Sequence, residues 1–351
     1  MNARVPITAA AAMAAAIAVT VGVVGAQVRA APTNPVTTVT PPPPVDPKMT
    51  RTGLLSSETL GPRHERLHIA SAAMRRVIDI DVLRGSGDQP RPVLYLLDGV
   101  DGESTSGWLT KGGAAEFFAD KPVDVVLTSG GTGSMYSDWE RHDAALGFNR
   151  WETFLTGELP PIVESLLKSD GNRAIAGVSM GAQAAMMLAQ RHPGQYRAVA
   201  GMSGCYSTAD PLGHAVTAIT VASRGGNADN LWGPAGSPEW AAHDTVLNAE
   251  RLRGTAVYLS AASGAPTRAD LVAVAESSDI ADALSVAGGG MALEAGARAC
   301  TERFVARLGE LRIPATVEYS DEGMHTWVDF EAQLPHAWKV LSVGLGLPGP
   351  Q

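Results

Sequence analysis

The sequence predicts an α/β fold, a mainly parallel central sheet with helices on both faces. Two observations carry that reading. Short apolar runs recur along the chain, as strands buried on both faces do, and helical stretches lie between them. The runs are Val93–Leu97, Val123–Thr128, Ala174–Val178, Ala198–Met202, Ala256–Ser260 and Thr316–Tyr319. The helical stretches are Trp151–Lys168, Met180–Arg191, roughly Ala292–Leu311, and Phe330–Leu341. Arg66–Ala70 and Val77–Val82 come first with no helix between them, which predicts an antiparallel hairpin at the sheet edge. Active groups in such sheets gather at the carboxyl ends of the strands.

Composition narrows the function. The chain has 351 residues, 45% hydrophobic and 18% charged, enough for a large buried core. A net charge of −9 argues against a nucleic-acid partner, which asks for a basic stripe. Two cysteines exclude a disulfide-dense scaffold and a cysteine-rich zinc site.

Residues 1–30 contain Arg4 and Arg29 but no acid, so their removal takes the net charge from −9 to −11. An Ala- and Val-rich run from Ile7 to Ala26 ends in small residues, the layout of a secretory signal peptide. An uncleaved anchor is the other reading that the length allows. Residues 31–50, with Pro41 to Pro44 in succession, read as a polyproline linker. Residues 51–351 form a single catalytic domain with no internal repeat.

The chemistry starts at Gly177-Val178-Ser179-Met180-Gly181, a G-x-S-x-G pattern between an apolar run and a helical one. That context marks a nucleophile elbow: a sharp strand-to-helix turn exposes the serine, and small flanking residues let other backbone approach. A chance match is the bland alternative, and the context weighs against it. In hydrolase order the acid and then the histidine follow the serine. The base is then His192, His214, His243, His325 or His336. His325, in the loop after the last strand, is best placed to reach Ser179 from a neighbouring strand end. His192 closes a helix, and His336 falls within the terminal one. Position does not single out the acid among Asp210, Asp229, Asp244, Asp270, Glu276, Asp279, Asp282, Glu294 and later carboxylates.

Several segments resemble the antigen 85-type mycolyltransferases. They are Leu96-Leu97-Asp98-Gly99, Tyr136-Ser137-Asp138-Trp139, Trp151-Glu152-Thr153-Phe154-Leu155-Thr156, Met202-Ser203-Gly204, Leu231-Trp232-Gly233-Pro234 and Gly323-Met324-His325-Thr326-Trp327, besides the serine motif. The resemblance runs from about Val93 to Leu334. It implies an α/β-hydrolase fold and a Ser–Glu–His triad in which Ser179 and His325 match the nucleophile and base. Ala292-Leu293-Glu294 fits the family's acid, so Glu294 is the expected third member. The resemblance also implies an oxyanion hole from the backbone N–H groups of Val100 and Met180, and sugar contacts from Asp98 and Trp327. The sequence departs at Val100-Asp101-Gly102-Glu103-Ser104, with acid where the family carries an arginine. It departs again at Ala114–Phe118, the region tied to fibronectin binding in some members. Residues 261–290 match poorly and read as a candidate lid.

Cys205 follows a strand end, and Cys300 lies six residues beyond Glu294. In an exported chain an even count allows a disulfide between them, and the sequence leaves open whether it forms. The family's usual bridge lies elsewhere and lends no support. The leading expectation is acyl transfer outside the plasma membrane. A trehalose mycolate glycolipid is the donor and a cell-envelope sugar or a protein hydroxyl the acceptor, with no metal or organic cofactor. A secreted carboxylesterase using water is the second reading and a non-catalytic envelope binding protein the third. The sequence leaves the oligomeric state open.

Overall fold

The computed structural model describes residues 42–87, 89–277 and 280–348. The signal-peptide expectation, and the linker up to Pro41, lie outside the described residues.

Among the described residues, nine strands form one sheet in the order β1-β2-β3-β5-β4-β6-β7-β8-β9. They are β1 Gly53–Gly61, β2 His64–Ser71, β3 Arg76–Leu83, β4 Val93–Leu97, β5 Asp124–Thr128, β6 Arg173–Val178, β7 Ala198–Met202, β8 Ala256–Ala261 and β9 Ala315–Tyr319. From β5 to β9 in that order every neighbouring pair is parallel; β1 to β3 form an antiparallel meander, and β3 joins β5 antiparallel. The central strands are buried on both faces. Along β4, Tyr95 and Leu97 enter one core, and Leu94 and Leu96 the other.

Two features correct the sequence reading. The sheet edge is β1, not the β2–β3 hairpin. Seven of its nine residues are exposed, so no buried face advertises the strand. The domain's contacts also begin before residue 51. The Asp46 N–H donates to the Arg75 carbonyl at 2.7 Å, and a Cβ added at Gly147 would come within 3.0 Å of Pro42.

The main helices are α1 Leu159–Leu167, α2 Met180–Arg191, α3 Pro211–Ala222, α4 Arg268–Ala275, α5 Ile280–Glu310 and α6 Trp327–Gly344. Residues of α1, α2 and α5 fill one core, and those of α6 with the turns at 107–118 the other, so helices cover both faces. The expected helix over residues 151–168 is interrupted. A π-turn spans Phe154–Glu158, where the Leu159 N–H reaches the Phe154 carbonyl. Pro160 and Pro161 follow with no N–H to continue the ladder, so the irregular turn absorbs the break. The helix expected from residue 292 begins at Ile280, so the candidate lid contains α4 and the first turns of α5. Among the described residues no helix is long and apolar enough to cross a membrane.

Candidate active site

Ser179 stands between β6 and α2 with φ 54° and ψ −118°, a conformation few non-glycine residues adopt. The glycines around it are sterically required. A Cβ on Gly177 would lie 2.3 Å from the Gly181 carbonyl, and one on Gly181 would lie 2.4 Å from the Asp98 carbonyl oxygen. The turn therefore packs against both α2 and the end of β4, the close approach the G-x-S-x-G spacing predicts.

His325 Nε2 lies 2.8 Å from Ser179 Oγ, and His325 Nδ1 lies 2.6 Å from Glu294 Oε2. A carboxylate only accepts, so Nδ1 carries the proton and Nε2 turns its lone pair toward the serine hydroxyl. Glu294 is 1% exposed. Its other oxygen accepts from Ser203 Oγ at 2.7 Å and from the Ala262 N–H at 2.6 Å. Three donors thus hold one buried carboxylate. The expected trio is brought together, by a longer route than expected. His325 follows β9, with β7 and β8 between that strand and β6. The loop turns back through Gly323 at φ 139° and His325 at φ 65°, and a Cβ on Gly290 would sit 2.4 Å from the Met324 carbonyl oxygen. That bare helix surface on α5 lets the loop approach.

The other histidines lie elsewhere. His192 and His243 meet Glu152, His214 packs its ring on Trp240, and His336 pairs with Glu318. Three of the other candidate carboxylates have structural duties. Asp210 and Asp270 cap α3 and α4, and Asp244 accepts from the backbone of Thr208 and Ala209. Asp279 lies outside the described residues.

Among the described residues, the N–H groups of Val100 and Met180 have no acceptor within the chain. Met180 opens α2, where the first amides are free and the helix dipole favours negative charge. The loop carrying Val100 runs beside the serine: a Cβ on Gly99 would lie 3.7 Å from the Ser179 Cβ. Met180 follows the nucleophile directly in sequence and Val100 lines the same cleft as Ser179, which makes their amides the candidates for an oxyanion hole.

A cleft of about 290 Å³ opens on Ser179 and His325, lined also by Asp98, Glu103, Lys111 and Trp327. Asp98 is 2% exposed, and its oxygens accept from Ser106 Oγ at 2.8 Å and the Gly107 N–H at 3.1 Å. Burial pushes its carboxyl up to about 6, opposed by those hydrogen bonds. Trp327 is half-buried, edge-on to Trp108 at 5.4 Å and to Phe330 at 5.8 Å. Its ring occupies space that side chains at Gly107 and Gly112 would fill. It both packs in the core and forms cleft wall. At the loop lacking the family arginine, Asp101 is bonded to Arg224, a cation supplied from far along the chain.

Sequence reasoning assigned no role to Ser203, Ser106 or Lys111. Ser203 is the middle residue of Met202-Ser203-Gly204, and its φ of 57° at the end of β7 is the feature that aims it. Nothing in the sequence marks the other two. Cys205 and Cys300 are disulfide-bonded, with Cα atoms 4.9 Å apart. Among the described residues no group of three His, Cys, Asp or Glu side chains is arranged to hold a metal ion.

The Esterase family model, described as "Putative esterase", matches residues 71–341. Diacylglycerol acyltransferase/mycolyltransferase Ag85B of Mycobacterium avium is 34% identical over 212 residues, 58% of this chain and 63% of that protein. Ag85A of Mycobacterium tuberculosis H37Rv is 35% identical over 212 residues, 58% of this chain and 62% of that protein. The chain thus spans less than two thirds of the length of these relatives. Among solved structures, Mycobacterium tuberculosis MPT51 (FbpC1) shares the fold with a TM-score of 0.67 at 24% identity, covering 80% of this chain and 99% of that one. An S-formylglutathione hydrolase from Agrobacterium tumefaciens does so with a TM-score of 0.58 at 16% identity, over 82% and 99%. The chain therefore has the α/β-hydrolase fold and belongs to the Esterase family, with the antigen 85 mycolyltransferases among its relatives.

Proposed function

We propose that the protein is a serine acyltransferase of the cell envelope, acting outside the plasma membrane with residues 1–30 as its export signal. It moves a mycolyl group from trehalose monomycolate to an envelope hydroxyl: a second trehalose monomycolate, arabinogalactan or a protein. The observation that carries the reading is the unbroken chain from Ser179 through His325 to Glu294. Ser179 Oγ attacks the ester carbonyl carbon while its proton passes to His325 Nε2. The resulting oxyanion meets the N–H groups of Val100 and Met180, a type of contact worth about 10²–10³ in rate per donor. Glu294 stabilises the imidazolium. The carbon–oxygen bond to trehalose breaks, and the sugar leaves with the His325 proton, giving a mycolyl-Ser179 ester. An acceptor hydroxyl then repeats the sequence in reverse, with His325 again as base. The cleft takes the sugar and the ester, with Trp327 offering a ring face to the sugar and Asp98 an acceptor. The acyl chain runs beyond it.

Asp101 and Glu103 at the rim, in place of the family's arginine, favour a second reading, a carboxylesterase that uses water as acceptor. One experiment separates the two: incubation with trehalose monomycolate, resolution of the lipid products, and Ser179→Ala as control. Trehalose dimycolate that vanishes in the variant is the expected result. Free mycolic acid with no acylated acceptor supports the esterase. Absence of any Ser179-dependent product overturns the donor assignment.

A further inference from the structure

A second concave site lies at the far end of the helix that Ser179 begins. Arg191 and His192 close α2, whose twelve residues span about 18 Å at 1.5 Å per residue. With Asp138, Glu140, Arg150 and Glu152 they wall a cleft of about 380 Å³. Trp232 and His243 stand behind that wall, their rings stacked 4.3 Å apart at 23°.

Glu152 is the centre of the site and only 6% exposed. Its Oε1 accepts from Arg191 Nε at 2.7 Å and from His192 Nε2 at 2.8 Å. Its Oε2 is buried with no hydrogen-bond partner. His243 Nε2 stands 3.6 Å from that oxygen. However, His243 Nδ1 must donate to the Glu239 carbonyl, 2.7 Å away, because a carbonyl only accepts. The 3.6 Å gap leaves Glu152 Oε2 in contact with the His243 ring but without a hydrogen bond of normal length.

The wall interleaves donors with acceptors. Arg150, Arg191 and the Thr153 hydroxyl stand among Asp138, Glu140 and Glu152. A cation entering here meets two guanidinium groups, and an anion meets three carboxylates. A neutral ligand rich in hydroxyls meets neither penalty, since each hydroxyl both donates and accepts. We propose that this cleft is a saccharide-binding site separate from the catalytic one, sized for one or two sugar rings. A sugar held here is too far from Ser179 to react. It serves as an anchor for the protein on a carbohydrate surface. The inference stands whether or not acyl transfer is the reaction.

The test is ligand-observed NMR with trehalose and with arabinotriose, on the wild-type protein and on Ser179→Ala, Trp327→Ala, Glu140→Gln and Arg150→Gln/Glu140→Gln. Saturable binding in the millimolar range is expected for at least one sugar. A saturable part of it should survive Ser179→Ala and Trp327→Ala, which alter only the catalytic cleft, and that part should be about tenfold weaker in the double variant, given the worth of hydrogen bonds to charged groups. Hydrolysis of p-nitrophenyl butyrate should be equal in wild type and double variant. Glu140 is exposed, so the single variant tests the site even if the double variant is unstable. The assignment is overturned if neither sugar binds, if binding disappears with Trp327→Ala instead, or if spermidine displaces the sugar from the wild-type protein.

Discussion

Cys205 and Cys300 lie 95 residues apart in the chain and are joined by a disulfide. The bridge ties the segment after β7 to α5, the helix that carries Glu294. Two residues before Cys205, Ser203 donates its hydroxyl to Glu294, so the covalent link and the hydrogen bond join the same two elements. Closing a loop of that length stabilises by up to about 4–5 kcal/mol in the chain-entropy model. Urea unfolding with and without a reductant should show a loss approaching that size, and the Cys205→Ser/Cys300→Ser double variant should match the reduced protein. An unchanged midpoint would mean that the unfolded chain gains little freedom when the bridge opens.

Ser179 holds a positive φ that glycine adopts without strain. Ser179→Gly should therefore abolish turnover while raising stability by about 1 kcal/mol, the scale of a relieved backbone strain. Thermal unfolding of the two proteins checks this. A lower melting temperature in the variant would show that the serine side chain contributes more to folding than its backbone costs.

Glu294 accepts three hydrogen bonds, from His325, Ser203 and Ala262. Glu294→Gln places an amide donor against at least one of these donors. The triad's tautomer logic predicts a fall in kcat on the order of 10⁴, with KM little changed. The misplaced amide adds an unfolding cost of about 1–3 kcal/mol. Steady-state kinetics on a short-chain ester, with a urea melt beside it, reads both. Retained kcat would remove Glu294 from the proposed triad.

Burial raises the Asp98 carboxyl from 3.8 to about 6. Well below pH 3.8 both the folded and unfolded chains hold the proton, and the full stability is present. Between about pH 4 and 6 the unfolded chain releases the proton before the folded one, so the folded state binds more protons and stability falls as pH rises. The loss levels off above the folded value and is on the order of 3 kcal/mol. Asp98→Asn should flatten this part of the stability profile. An identical slope in the variant between pH 4 and 6 would show that the ionised Asp98 is well solvated in the folded protein.

Much of the fold is legible because it is local. Val93–Leu97, Ala198–Met202 and Met180–Arg191 have the same bounds in the structure as in the sequence, because unbroken apolar runs and a small-residue helix carry their burial in their own composition. The serine turn is legible for the same reason: its two glycines flank it in sequence. β1 was missed because a strand exposed along almost its whole length leaves no period to read. The π-turn was missed because Pro160 and Pro161 tell where a helix ladder fails, not how the chain accommodates the failure.

The sequence by itself determined the α/β alternation, the position of the serine elbow and the loop that carries His325. Only the tertiary structure decided which groups meet. It carried His325 from β9 across two strands to Ser179, brought a cysteine 95 residues away to Cys205, and set Arg224 on the Asp101 loop. It also selected Glu294, which spacing alone could not distinguish from its neighbours, by burying it among three donors. The division has a physical cause. Periodicity along a segment records which side of that segment is buried. A contact between distant segments depends on strand order, backbone reach and the bare surface that residues such as Gly290 leave open, and none of these is written in any one stretch of chain.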